Sequence, residues 1–162
     1  MLEKSVCIVG LGLMGGSLAL ALRPFLAHLS IVDTNPETRT AAQDIADFVT
    51  GDLAEGVRQS DLVILAVPVR TILQLLADLP AARPDGCLVM DLGSTKAEIC
   101  RVMAALPPSF QAIGGHPMCG KETAGFANAD PQLFAGETFV LCENGRTTAH
   151  MKAVANEILE KI

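Results

Sequence analysis

The chain has no tryptophan and no tyrosine, and its six phenylalanines give an aromatic share of only 4%. A core cannot then be built around large rings. It has to be filled by Leu, Val, Ile and Ala, which suits buried parallel strands packed beneath helices. There is also no cluster of Lys or Arg: twelve basic residues face eighteen acidic ones, for a formal net charge of −6. That balance argues against nucleic acid and against an anionic membrane surface as partners. Cys7, Cys87, Cys100, Cys119 and Cys142 form no C-x-x-C pair and no zinc spacing, so no metal site is expected. Scattered thiols of this kind fit a reducing, cytoplasmic setting, where they serve as small buried hydrophobes. Cys119 stands apart, because it lies in a glycine-rich loop near His116. No repeat, linker or low-complexity segment divides the 162 residues, which suffice for one well-packed domain.

One further absence misleads. No residue between Lys4 and Arg23 is charged, as in a signal peptide or a membrane span. Glycines at 10, 12, 15 and 16 break that stretch into a short apolar run and a later helix, so neither export nor insertion is expected.

What is present alternates. SVCIV (5–9) reads as a buried strand and GGSLALALRPFL as a helix that Pro24 ends. LSIVD (29–33) is a second strand. Asn35-Pro36-Glu37 then supplies a cap, a proline at the first helical position and an early acid, predicting a helix to about Asp47. A short strand near FVTG leads to Asp52, a cap for LAEGVRQS. DLVILAV (61–67) is the most apolar strand, and Pro68 opens a helix across RTILQLLADL. CLVMDL (87–92), FQAIGG (110–115) and ETFVLCE (137–143) are further strands, with the helix KAEICRVMAAL between the first two. A last helix starts near Thr147 and carries no stop signal, which suggests a truncated chain. Strands alternating with helices about every 25 residues describe a single α/β domain with a doubly wound, mostly parallel sheet.

Gly10-Leu11-Gly12-Leu13-Met14-Gly15 matches G-x-G-x-x-G where such a loop must stand, after the first strand and opening the first helix. The glycines permit a tight turn, close approach to a pyrophosphate and close helix–strand packing, which makes the fold Rossmann-type. Asp33 ends the second strand eighteen residues after Gly15. A carboxylate there accepts from ribose hydroxyls and repels a 2′-phosphate, favouring NAD over NADP. Arg39 competes with that reading, but its place inside the predicted helix makes it part of a solvated face.

Two more loops belong at the carboxyl ends of the strands. Asp91-Leu92-Gly93-Ser94-Thr95-Lys96 offers the Ser94 hydroxyl, which also suits a helix cap for KAEIC. GHPMCGKE (115–122) is one residue short of a phosphate-binding loop, with Glu122 where Ser or Thr is required. That reading fails physically: Pro117 removes an amide from a loop meant to donate amides, and Glu122 repels phosphate. His116 then becomes the candidate base for a dehydrogenase, since neutral imidazole suits the removal of a proton from an alcohol. His28 and His150 lie outside the cluster.

GLGLMGGSLALAL, DLGSTK and above all GGHPMCGKETAGFANADPQLFAG resemble the prephenate/arogenate dehydrogenases of tyrosine biosynthesis, over the whole chain but only the N-terminal half of that family. The resemblance implies that His116 accepts the proton of the substrate's 4-hydroxyl, that Ser94 orients the imidazole, and that Glu122, Lys96 and Gly120 lie on the substrate side. Gly114, Gly115 and Gly120 would let the loop fold tightly around a cyclohexadienyl ring. Val67 and Pro68 would join Gly10, Gly12, Leu13, Met14, Gly15 and Asp33 around NAD. It further implies a helical dimerisation domain, absent here, so the chain is expected to bind NAD and to turn over poorly alone. Two alternatives stay open: a β-hydroxyacid dehydrogenase, which also opens G-L-G-x-M-G but carries its lysine on a later domain, and an NAD-sensing regulatory module, which has no use for Ser94 or His116.

Overall fold

Along the central strands the side chains alternate between two apolar layers. In β1 (Leu2–Val9) Val6 and Ile8 face one layer, while Cys7 and Val9 face the other. In β4 (Leu62–Leu65) Leu62 and Ile64 oppose Val63 and Leu65 in the same way. Strands buried on both faces need helices on both, and the computed structural model, which describes residues 2–162 and the side chains from Lys4 onward, shows them. α1 (Leu13–Leu22) and α6 (Ala149–Leu159) contribute Leu18, Leu22, Met151, Val154 and Ile158 to the first layer. α3 (Leu53–Val57), α4 (Val69–Ala82) and α5 (Ala97–Ala104) contribute Val57, Ile72, Leu76, Leu79, Ile99 and Met103 to the second. The filling is aliphatic, as the shortage of aromatics requires; Phe110 and Phe134 are the buried rings.

The sheet also contains β2 (Leu26–Val32), β3 (Phe48–Thr50), β5 (Leu88–Asp91), β6 (Gln111–Pro117) and β7 (Phe139–Cys142). Its order is β3-β2-β1-β4-β5-β6-β7. All neighbouring pairs are parallel except β6–β7. The order reverses between β1 and β4, and there the carboxyl ends of the strands open the crevice in which such sheets hold ligands. This is the doubly wound, mostly parallel Rossmann-type arrangement that the element order implied.

The caps at Asn35 and Asp52 form as expected: Asn35 accepts from the amides of Glu37 and Thr38, and Asp52 from that of Glu55. The helix after Asn35 is shorter than expected. α2 (Pro36–Ala42) stops five residues early, because Asp47 is drawn to β2, where its carboxylate accepts from Leu29 N at 2.8 Å and its amide donates to Leu29 O at 2.9 Å. β6 is longer than expected and runs through His116, because β7 supplies antiparallel partners from Gly114 to Pro117. α6 is capped by Thr148, one residue later than read; Thr147 instead donates its hydroxyl to Ala112 O at 2.7 Å. No helix among the described residues is long and apolar enough to cross a membrane.

Candidate active site

Gly10 turns the chain out of β1 with φ +93°, and a Cβ there would lie 2.4 Å from Val67 Cγ1. Gly15 brings α1 against that turn so closely that a Cβ would stand 1.9 Å from Gly10 O. At Gly12, by contrast, a Cβ would meet nothing within 4 Å. Two glycines are thus required by the protein's own packing, while the middle one faces open space. Gly12, Leu13 and Met14 line a cleft of about 360 Å³ together with Ala66, Val67 and Pro68. An open N-terminal helical turn of this kind fits a pyrophosphate.

Asp33 stands at the end of β2, next to this loop. Its Oδ2 accepts from Leu11 N at 2.7 Å and its Oδ1 from Asn35 N at 2.8 Å. Arg39 is half-buried and differs from the solvated residue expected of it. Its Nη1 donates to the carbonyls of Asp33 and Thr34 at 2.8 and 2.9 Å, and the guanidinium lies against Gly51.

The second half of the crevice is built from β5 and β6. Ser94 is exposed in the turn after β5, and the cap position of α5 is held by Lys96 rather than Ser94. The serine hydroxyl is therefore not consumed in capping. His116 is half-buried on β6, paired across the ladder with Val140, and borders a cavity of about 590 Å³. Pro117, Met118, Cys119, Gly120, Lys121, Leu133 and Glu137 complete that cavity. Glu122 and Gly120 are exposed on the same loop, and Glu122 is not among the lining residues. Burial pushes the Cys119 thiol up, and Glu137 adds to this. Both effects run opposite to the activation of a nucleophilic cysteine.

Lys96 points inward. Its ammonium pairs with the fully buried carboxylate of Asp91 and donates to Gly115 O at 2.7 Å. Burial pushes the Asp91 carboxyl up, while Lys96 and the amides of Gly93 and Gly115 hold it down. Asp91 was not singled out as a site residue. A lone acid closing a strand that is otherwise apolar, five residues before a lysine, is the signal that could have found it.

The loop beyond His116 also reaches the nucleotide side. Thr123, Ala124 and Gly125 line the cleft opposite Gly12, which no local motif announced. Phe126 and Ala129 press on Gly16, where a Cβ would lie 2.6 Å from the Phe126 ring. The amide of Asp130 donates to the hydroxyl of the fully buried Ser17 at 2.9 Å.

A glycine-rich turn at a helix N-terminus, an acid at the end of β2 and a histidine on the same sheet edge define a dinucleotide-binding domain of the Rossmann type. The chain belongs to the prephenate dehydrogenase family: the family model described as "Prephenate dehydrogenase, nucleotide-binding domain" matches residues 18–162. It is 36% identical over 149 residues to a prephenate dehydrogenase of Lactococcus lactis subsp. cremoris, covering 88% of this chain and 42% of that protein. The crystal structure of Aquifex aeolicus prephenate dehydrogenase with hydroxyphenyl propionate and NAD⁺ superposes with a TM-score of 0.88 at 30% identity, covering 99% of this chain and 58% of that one. Synechocystis arogenate dehydrogenase gives a TM-score of 0.84 at 26% identity, over 96% of this chain and 56% of that one. The chain spans about half the length of the curated relatives it matches.

Proposed function

We propose that this domain binds NAD and carries the base of an oxidative decarboxylation of prephenate or arogenate in tyrosine biosynthesis. The observation that carries the reading is the position of His116, half-buried at the carboxyl end of β6 on the edge where Gly10–Gly15 open the dinucleotide cleft. Gly12, Leu13, Met14, Gly15, Val67 and Pro68 hold the dinucleotide, and Asp33 takes the adenosine ribose, which favours NAD over NADP. A bound nicotinamide supplies the hydride acceptor. His116 accepts the proton of the ring hydroxyl as hydride leaves the carbon that bears it. The bond to the ring carboxylate then breaks, CO₂ departs, and its electron pair completes the aromatic ring. Ser94, in the exposed turn after β5, meets the same hydroxyl and orients the imidazole.

Glu122 and Gly120, on the exposed loop, face the incoming substrate, and Lys96 serves that side through the loop it holds. The substrate carboxylates and the homodimer contact belong, in this reading, to a further helical domain; the relatives are longer than this chain, which spans 42% and 56% of two of them. The 162 residues alone then bind NADH and turn over poorly.

A His116→Asn substitution in the full-length protein tests the reading. Turnover should fall by roughly 10²–10⁴-fold while NADH affinity is kept. A nucleotide-sensing module would be indifferent, and unchanged turnover would overturn the assignment.

A further inference from the structure

The parallel ladder between β5 and β6 ends at Met90 and Ile113. Beyond it β5 keeps only its β4 partner, Leu92 donating its amide to Leu65 O at 3.0 Å. Gly115 lies two residues past Ile113, the last position of β6 paired with β5. Two side chains hold it there. Asp91 Oδ1 accepts from Gly115 N at 3.2 Å, and Lys96 Nζ donates to Gly115 O at 2.7 Å. Asp91 Oδ2 accepts from Gly93 N at 2.7 Å and from the Lys96 ammonium. The fit is close: a Cβ at Gly114 would lie 3.2 Å from Lys96 Cδ, and one at Gly115 would lie 2.5 Å from Asp91 O.

We propose that the Asp91–Lys96 ion pair is the positioning device of the site, fixing the distance between Ser94 and His116. The two glycines it grips, Gly93 and Gly115, each precede one of those residues. A pair buried this deeply is a poor source of stability, because desolvation offsets most of its attraction. Its directional bonds hold two loops from different strands in one register, where a misplacement of about 1 Å can lower turnover a hundredfold. The proposal rests on the reading of His116 and Ser94 as the reacting pair.

Lys96→Met alone strands a buried carboxylate and can unfold the domain, so the double variant Asp91→Asn, Lys96→Met, which removes both charges together, is the main test. Its NADH affinity should stay within about twofold of the parent, since the glycine loop is untouched. The Gly115 amide should exchange with solvent at least about tenfold faster. The NMR ring signals of His116 should shift or broaden while those of His28 and His150 stay in place. In the full-length protein kcat should fall roughly 10- to 100-fold with the KM for NAD unchanged. Unchanged Gly115 exchange and His116 signals would overturn the proposal, as would an equal loss of NADH binding. If the parent itself shows no turnover, the dehydrogenase reading fails, while exchange and ring signals still judge the ion pair.

Discussion

The amide of Leu11 donates to Oδ2 of Asp33 at 2.7 Å, across twenty-two residues of chain. The acid that would read the ribose is thus also the tie between the glycine loop and β2. Replacing Asp33 with Ala removes both roles. We expect NADH binding to weaken by roughly 10- to 100-fold, the worth of one or two hydrogen bonds to a charged group, and the preference over NADPH to shrink. Titration of both nucleotides checks this; an unaltered preference would show that Asp33 does not read the ribose.

Gly12 and Gly15 separate binding from folding. Gly15→Ala drives a methyl to 1.9 Å from a main-chain oxygen, and the domain should lose most of its stability. Gly12→Ala meets nothing in the protein, so its Tm should stay within about 2 °C of the parent. NADH affinity should nevertheless drop by about tenfold or more, because the methyl occupies the approach to the pyrophosphate. Calorimetry and NADH fluorescence, the latter free of tryptophan overlap in this chain, are the measurements.

Ser17 and Lys121 both secure the segment that follows β6, but to different extents. Ser17→Ala leaves the part-buried Asp130 amide without its acceptor and should cost about 1 kcal/mol. Lys121 pairs with Asp130 at 2.7 Å on an exposed surface, and Lys121→Ala should leave the urea midpoint unmoved. Equal losses in the two variants would contradict this ranking.

Alkaline pH should weaken the fold through two thiols. Burial raises Cys7 from 9.0 to about 12, with nearby Cys87 adding to the rise and Ser60 opposing it. Burial also raises Cys87 to about 12 against the pull of Arg83. Below pH 9 both thiols are protonated, folded or unfolded, and their contribution is complete. Between pH 9 and 12 the unfolded thiols ionise first, so stability falls by up to about 1.4 kcal/mol per pH unit for each. Urea midpoints at pH 7 and pH 10.5 should show the loss, and Cys7→Ala and Cys87→Ala should each flatten it. A slope unchanged from the parent in both variants would assign the loss to other groups.

Legibility followed the range of each interaction. The alternation of strands and helices, the Asn35 and Asp52 caps and the glycine turn are set within a few residues, and all could be read from the chain. His116 was placed at the correct edge, yet its position inside β6 depends on β7, which lies more than twenty residues away. Arg39 was misjudged because its partners, the carbonyls of Asp33 and Thr34, lie before the helix it belongs to, and Gly51 follows β3. The Asp91–Lys96 grip on Gly115 escaped for a similar reason: each residue looks ordinary until β6 is laid beside β5.

The stretch from Met118 to Gly125 is an arch sprung between two abutments. At one end Met118 N bonds Thr138 O at 2.8 Å beside β7; at the other Phe126 bears on Gly16. Neither abutment depends on the side chains of the span, which are mostly exposed. The exposed side chains of Met118, Glu122, Thr123 and Ala124 can therefore be exchanged with little effect on the placing of His116 or the glycine turn. That freedom lets the rim of the cavity beside His116 change its chemistry while the sheet edge beneath it keeps its shape.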